Sequence, residues 1–185
     1  QKMRIVIVGG VAGGMSAATR LRRLNENAEI IILEKGPYVS FANCGLPYYV
    51  SGEIQKRGNL LVQTPESLRG RFLLVVRPYN EVISVDSQKK EVLVKNNDGE
   101  YILSYDKLIL SPGAKPFIPN TPGLKEAKNV FSMRNIPDVD GVTEFITNNH
   151  PTKAVVIGAG FIGLEMAESL KNRGLDVTVV EMAPQ

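Results

Sequence analysis

Ile5 to Val8 is a run of β-branched apolar residues without alternation, the pattern of a strand buried on both faces of a parallel sheet. The run breaks at Gly9-Gly10-Val11-Ala12-Gly13-Gly14, after which Met15, Ala18, Leu21 and Leu24 recur at helical spacing until Asn25-Glu26-Asn27. Ala28 to Leu33 then reads as a second buried strand ending at Glu34, which completes one strand–helix–strand unit. The same pattern returns late in the chain. Lys153 to Ile157 predicts a strand, Gly158-Ala159-Gly160-Phe161-Ile162-Gly163 a turn, the residues to Lys171 a helix, and Asp176 to Val180 a strand ending at Glu181. Between the repeats, residues 36–70 predict mixed loop and short helix. Residues 72–77, 81–86, 91–95 and 100–104 predict short antiparallel strands, with Asn97-Asp98-Gly99 as a hairpin turn. Lys107 to Leu110 predicts another buried strand, followed by a Pro/Gly-rich connector over roughly 112–123 and a helix near 138–148. The second repeat has too few strands for an open sheet covered on both faces, so the 185 residues are expected to be an N-terminal fragment of a longer protein.

Composition adds exclusions. With 43% hydrophobic and 22% charged residues the chain is globular, and its apolar runs of about five residues fall far short of the roughly 20 that a membrane span needs. The N-terminus leads directly into a strand without a signal-peptide core, which predicts a cytoplasmic protein. A net charge of +3, from 22 basic and 19 acidic residues, argues against a nucleic-acid partner. One cysteine, Cys44, and one histidine, His150, exclude a disulfide framework and leave no metal site to expect. Any chemistry must therefore rest on Cys44 or on a bound cofactor.

The late glycine loop is the sharper motif. Gly158-x-Gly160-x-x-Gly163 follows a strand and opens a helix, and Glu181 ends the next strand close to the roughly 20-residue separation of a dinucleotide-binding fingerprint. The first glycine permits the turn, the second lets backbone approach a pyrophosphate, and the third lets helix and strand pack closely. Phosphates then meet the free N–H groups of the helix N-terminus. A carboxylate at Glu181 suits an unmodified ribose and would repel a 2′-phosphate, favouring NADH over NADPH. In the early loop Gly9 and Gly14 hold the first and third positions, but Val11 occupies the second, where Gly10 and Gly13 offer close approach instead. Glu34 is again placed for a ribose. A tight turn required by packing alone is the alternative for both loops. Two such units predict two nucleotides, most simply a flavin and a nicotinamide dinucleotide, between which hydride passes.

Ser40-Phe41-Ala42-Asn43-Cys44-Gly45-Leu46-Pro47-Tyr48-Tyr49 follows the second strand, on the sheet edge where open α/β sheets bind ligands. Pro47 predicts a first helical turn, placing Cys44 at or near a helix N-terminus, a setting that favours thiolates. A lone cysteine is equally readable as a small buried hydrophobe. Arg20 and Arg23 lie three apart on one helical face and could meet phosphates, or could simply complement the helix dipole.

From Met3 to Glu181 the sequence resembles the N-terminal part of the flavin-dependent pyridine nucleotide-disulfide oxidoreductases. Within them it is most similar to the single-cysteine branch: coenzyme A-disulfide reductases, their rhodanese-fused and persulfide-reducing relatives, and NADH oxidases and peroxidases. Four stretches carry the resemblance: Gly9 to Gly14, Ser40 to Tyr49, Tyr105-Asp106-Lys107-Leu108-Ile109-Leu110-Ser111-Pro112-Gly113-Ala114, and Arg134-Asn135-Ile136-Pro137-Asp138. The string around Cys44 is most like the coenzyme A-disulfide group. The fold class implied is α/β: a Rossmann-like, glutathione-reductase-like dinucleotide-binding fold with a small antiparallel β insertion and a truncated second Rossmann unit. Residues 1–118 would be the N-terminal part of an FAD-binding domain, with the Cys44 segment and an insertion at about 72–104. Residues 119–150 would be a connector and helix, and 151–185 the start of an NAD(P)H-binding domain.

The resemblance further implies an enzyme in which Cys44 cycles between thiolate and a mixed disulfide with coenzyme A, the substrate being coenzyme A disulfide or persulfide. Ser16, Arg20, Arg23, Ser40 and Asn43 match substrate-site positions. Gly9, Gly10, Val11, Ala12, Gly13, Gly14, Glu34, Lys35, Ser111, Pro112 and Gly113 match the FAD site, and Gly158, Gly160, Phe161, Ile162, Gly163 and Glu181 the NADH site, with NADPH as the alternative. A homodimer through a later domain is also implied. Peroxidase-type members carry histidine where this sequence has Ala12. The rival functions are an NADH oxidase or peroxidase cycling Cys44 through sulfenic acid, and a redox-sensing flavoprotein without small-disulfide turnover.

Overall fold

The computed structural model describes residues 2–184. In chain order its elements are β1 (Arg4–Val8), α1 (Ala12–Leu24), β2 (Glu29–Leu33), α2 (Leu46–Ser51), α3 (Pro65–Phe72), β3 (Val75–Arg77), β4 (Glu81–Asp86), β5 (Glu91–Asn96), β6 (Gly99–Ser104), β7 (Lys107–Leu110), α4 (Ile136–Asn149), β8 (Lys153–Ile157), α5 (Phe161–Asn172) and β9 (Asp176–Val180). They form two compact units, one of residues up to 41 with 61–114, the other of 42–60 with 115 onward. The α/β class expected from the sequence is the one observed.

In the first unit a parallel sheet runs in the order β3-β2-β1-β7. β1 is buried on both faces because successive side chains enter different cores. Ile5 and Ile7 join Met15 and Ala18 of α1 and Leu68 of α3, while Val6 packs with Ile31, Leu33, Val92, Val94 and Leu103. The three-stranded antiparallel sheet β4-β5-β6 is therefore a cover for one face of the parallel sheet, and the helices cover the other. A fully buried isoleucine contributes about 2 kcal/mol, so these uninterrupted apolar strands drive the layering. The hairpin expected at Asn97-Asp98-Gly99 joins β5 to β6, with Asn96 paired to Gly99.

The structure corrects two sequence expectations. Residues 72–77 are not one antiparallel strand: Thr64 and Ser67 form a capping box that starts α3 at Pro65, and the helix runs through Phe72. Leu73 then turns in the left-handed region, leaving only β3, which pairs parallel to β2 because the helix has carried the chain back over the sheet. Lys107–Leu110 is not buried, since among the described residues β7 pairs only with β1 and Leu110 is 61% exposed. Leu24 shares the helical spacing of Met15 and Ala18 but, as the last residue of α1, is 66% exposed.

The end of α1 is tied down by a residue that periodicity did not single out. Arg22 donates from Nε to the carbonyl of Phe72 at 2.8 Å and from its terminal nitrogens to those of Asn25, Glu26, Ala28 and Leu73. One guanidinium thus satisfies carbonyls at the ends of two helices, as its fork of donors allows.

The second unit contains β8 paired parallel to β9 in full register, Lys153 with Asp176 through Ile157 with Val180, connected by α5. α4 is started by a capping box, Asn135 accepting from the Asp138 N–H while the Asp138 carboxylate accepts from Asn135 and Arg134.

Replacing Arg22 by Met should lower the unfolding free energy by about 2–3 kcal/mol, the scale of hydrogen bonds to a charged group, in urea denaturation. The same change at exposed Arg20 or Arg23 should shift it by less than about 0.5 kcal/mol. Equal effects at all three positions would contradict the anchoring role of Arg22.

Candidate functional site

Both strand–helix–strand repeats end their first strand in the same way. Gly9 N–H donates to the Leu33 carbonyl and Gly158 N–H to that of Val180, each at 2.8 Å. Both glycines are left-handed, with φ of 95° and 102°. A Cβ on Gly14 would overlap the carbonyl oxygen of Gly9, and one on Gly163 that of Gly158. The left-handed backbone at Gly9 and Gly158, and close packing at Gly9, Gly14 and Gly163, therefore require glycine at both ends of each loop. Packing also explains two further glycines: a Cβ on Gly10 would lie 2.8 Å from Val39 Cγ1, and one on Gly13 would lie 2.6 Å from Ser111 Oγ.

Gly160 is different. Nothing lies within 4 Å of where its Cβ would be, and its φ of −71° is open to any residue. Among the described residues no contact requires glycine there; a ligand backing onto the loop would. Gly160 is the N-cap of α5 and Val11 that of α1, neither makes a side-chain cap, and neither helix carries an acid in its first turn. Their leading N–H groups are thus left for an anion. Both junctions fit a pyrophosphate.

An acid closes each junction. Glu34 Oε2 accepts from Gly10 N–H at 2.8 Å and its Oε1 from Gly36 N–H at 2.7 Å. Glu181 Oε2 accepts from Ala159 N–H at 2.7 Å, and its Oε1 accepts from Met182 and Ala183 at 2.8 and 2.9 Å. The N–H groups of Ala159, Ala183 and Met182 hold the exposed Glu181 carboxyl below its ordinary 4.5. Each acid grips the second residue of its own glycine loop, so carboxylate and helix N-terminus are set together.

Within the first unit a cleft of ≈ 340 Å³ brings Ser16 of α1, Ser40, and Val11 and Ala12 of the glycine loop together. Ser40 is held in the left-handed region, φ 49°, with its N–H on the Gly10 carbonyl and its own carbonyl accepting from Val62 and Gln63. Such a conformation in a non-glycine residue is a strain that surrounding contacts must maintain. Phe41, Val62 and Gln63 also line the cleft. Sequence reasoning missed Val62 and Gln63, which sit in a loop without periodicity and arrive only by pairing with Ser40. Arg20 and Arg23 are exposed on α1 and do not line the cleft; Lys35 is likewise exposed. Ser111 follows β7 with its N–H on the Val8 carbonyl and its own carbonyl against Gly9; Pro112 and Gly113 follow, exposed.

In the second unit Asn43–Gly45 forms a 3-10 turn directly ahead of α2, which has Pro47 in its first turn and ends at left-handed Gly52. Leu46, Pro47 and Val50 are buried, while Asn43 and Cys44 are exposed. The reading of Cys44 as a small buried hydrophobe is thereby removed. The segment is braced by Arg57, whose Nε and terminal nitrogen meet both carboxylate oxygens of Asp140 on α4 at 2.6–3.0 Å. Phe161 and Ile162, at the start of α5, are 90% and 60% exposed.

Gly160→Ala should leave thermal stability within about 1 kcal/mol of wild type, the scale of an unstrained glycine substitution, whereas Gly163→Ala, which overlaps backbone, should unfold its unit. Equal stability of the two variants in a thermal melt would refute the packing argument. Because Glu181 is depressed in the folded state, its contribution to the loop is present above 4.5 and is lost as pH falls through the lower folded value. The Ala159 amide-proton shift should accordingly titrate with a midpoint below 4.5; a midpoint at or above 4.5 would mean the carboxylate is not held by the loop.

Residues 3–185 match the family model described as pyridine nucleotide-disulphide oxidoreductase. A coenzyme A disulfide reductase of Staphylococcus haemolyticus is 41% identical over 179 residues, 96% of this chain and 40% of the relative. Among solved structures, the reduced form of Bacillus anthracis CoADR-RHD matches with a TM-score of 0.97 and 52% identity, over 99% of this chain and 33% of its own. A NAD-dependent persulfide reductase from A. fulgidus follows with a TM-score of 0.91 and 38% identity, over 96% and 33%. The chain thus spans about 40% of the length of the curated relatives it matches. With both glycine junctions inside the matched region, the chain belongs to the pyridine nucleotide-disulphide oxidoreductase family.

Proposed function

We propose that the protein to which these residues belong is an FAD-dependent NAD(P)H:disulfide oxidoreductase that reduces coenzyme A disulfide or coenzyme A persulfide through Cys44. The observation that carries this reading is an exposed, single cysteine in the Ser40–Tyr49 string, in one chain with two dinucleotide-type junctions. Residues 1–118 are read as flavin-side, 119–150 as connector and helix, and 151–185 as the start of the nicotinamide side. The α1 N-terminus, Gly9–Gly14 and Glu34 would hold FAD, with Lys35 and Ser111–Gly113 flanking it. The α5 N-terminus, Gly158–Gly163 with Phe161 and Ile162, and Glu181 would hold NADH in preference to NADPH, because the carboxylate repels a 2′-phosphate. Bound there, the two cofactors supply the electron pair that a disulfide takes up.

The chain's own part is thiol chemistry. The Cys44 thiolate attacks one sulfur of the substrate disulfide, the old S–S bond breaks, and one coenzyme A leaves as thiolate and takes a proton. Cys44 keeps the other coenzyme A as a mixed disulfide. Two electrons and one proton then release the second thiol and restore the Cys44 thiolate. Ser16 and Ser40, which meet at the cleft of the first unit, are read as substrate-positioning groups, with Asn43 beside the sulfur and Arg20 and Arg23 on the nucleotide phosphates. The relatives named coenzyme A disulfide reductase and persulfide reductase support this substrate class. We take the enzyme to act in the cytoplasm as a homodimer, without nucleic-acid or membrane partner. Its mild net charge of +3 is in keeping with that, and among the described residues no helix is long and apolar enough to cross a membrane.

The full-length protein, purified without reductant, should carry a coenzyme A-sized adduct on Cys44 that dithiothreitol removes, read by intact mass. Cys44→Ser should lose the adduct and reduce coenzyme A disulfide at least about 10³-fold more slowly, as expected when a nucleophile is removed, while retaining FAD. An oxygen-only mass shift would turn the assignment to an oxidase or peroxidase, and undiminished turnover in the variant would remove Cys44 from the mechanism.

A further inference from the structure

The antiparallel sheet β4-β5-β6 covers one face of the core, and one of its side chains reaches the turn that abuts Glu34. The backbone of Glu34 is gripped on both sides by the turn between β3 and β4. Its N–H donates to the Arg77 carbonyl at 3.0 Å, and its own carbonyl accepts from Asn80 N–H at 2.9 Å. The Gly36 carbonyl accepts from Tyr79, a residue in the left-handed region with φ 57°. That turn is held in shape by Tyr101 of β6. Its hydroxyl donates to Asn80 Oδ1 at 2.7 Å and accepts from the Arg77 guanidinium at 3.2 Å, while Asn80 Nδ2 donates to the Pro78 carbonyl at 2.8 Å. The Arg77 guanidinium also stands 5.8 Å from the Tyr101 ring centroid. These groups are all partly buried, where a missing partner is felt. Glu181 has no such brace among the described residues: its carboxylate takes its hydrogen bonds from its own loop.

We propose that Tyr101 is a positioning residue for Glu34, acting through Asn80 and Arg77 to fix the acid that meets the adenosine ribose of the flavin dinucleotide. This rests on the assignment of the first junction to FAD. The hydroxyl never touches the nucleotide; it sets the turn, and the turn sets the backbone from which the Glu34 carboxylate reaches Gly10 and Gly36. The insertion is then part of what lets the site distinguish a dinucleotide from a mononucleotide.

The test strips flavin from the full-length protein and titrates FAD and FMN separately, following flavin fluorescence. FMN lacks the adenosine ribose, so it is blind to Glu34. Tyr101→Phe keeps the ring and should weaken FAD binding about three- to tenfold, the worth of one net hydrogen bond, with FMN affinity unchanged. Asn80→Ala, which leaves Tyr101 in place, should show the same selectivity. Equal weakening of FAD and FMN would reduce Tyr101 to a merely structural role and overturn the proposal, as would unchanged FAD affinity in both variants. A wild-type protein that binds no FAD would instead bring down the assignment of the junction itself, and this proposal with it.

Discussion

The contact on which the rest depends is a carbonyl oxygen set against a glycine Cα. Gly9 faces Gly14, and Gly158 faces Gly163, at separations that leave no room for a β-carbon. That approach turns the chain sharply enough for a strand to feed a helix whose first N–H groups point out of the sheet edge. Once the turn is made, the next parallel strand must end beside it, and its terminal residue, Glu34 or Glu181, falls within hydrogen-bond reach of the loop. Positive helix end and carboxylate are therefore delivered as a pair by backbone packing, before any ligand is considered.

The two copies of this device are finished differently. In the first unit Gly10 and Gly13 are pressed by Val39 and Ser111, Glu34 is bracketed by the β3–β4 turn, and Ser40 is strained against the loop. In the second, Gly160 faces open space, Phe161 and Ile162 stand out at the start of α5, and Glu181 is held only by its own loop among the described residues. A crowded junction suits a group that stays bound, and an open one suits a group that comes and goes, in keeping with the proposed placement of flavin and nicotinamide.

The cysteine segment follows a third logic. Leu46, Pro47 and Val50 anchor α2 by burial, and Arg57 fastens the segment to Asp140, so that Cys44 can remain exposed without the segment being loose. This ion pair is partly buried and engages both carboxylate oxygens, a geometry that fixes the direction of a short turn.

What the sequence determined alone is what depends on local chemistry. Uninterrupted Ile/Val runs specify parallel strands, closely spaced glycines specify the junctions, an acid at a strand end specifies its place beside the loop, and Asn97-Asp98-Gly99 specifies a hairpin. Each of these is encoded within about thirty residues, the span of one strand–helix–strand unit. What only the tertiary structure decided depends on residues distant in the chain. The run Phe72 to Val76 is apolar enough for a strand, but the Thr64–Ser67 cap starts a helix that ends on Phe72, Leu73 turns left-handed, and only Val75 onward is strand, paired parallel to β2. Arg22 looks like its neighbours Arg20 and Arg23 until the carbonyls of Phe72 and Leu73 arrive beside it. The hold of Tyr101 on the Glu34 turn likewise arises only when a sheet inserted after β3 folds back onto it, because hydrogen bonds between such remote groups leave no periodic trace in the chain.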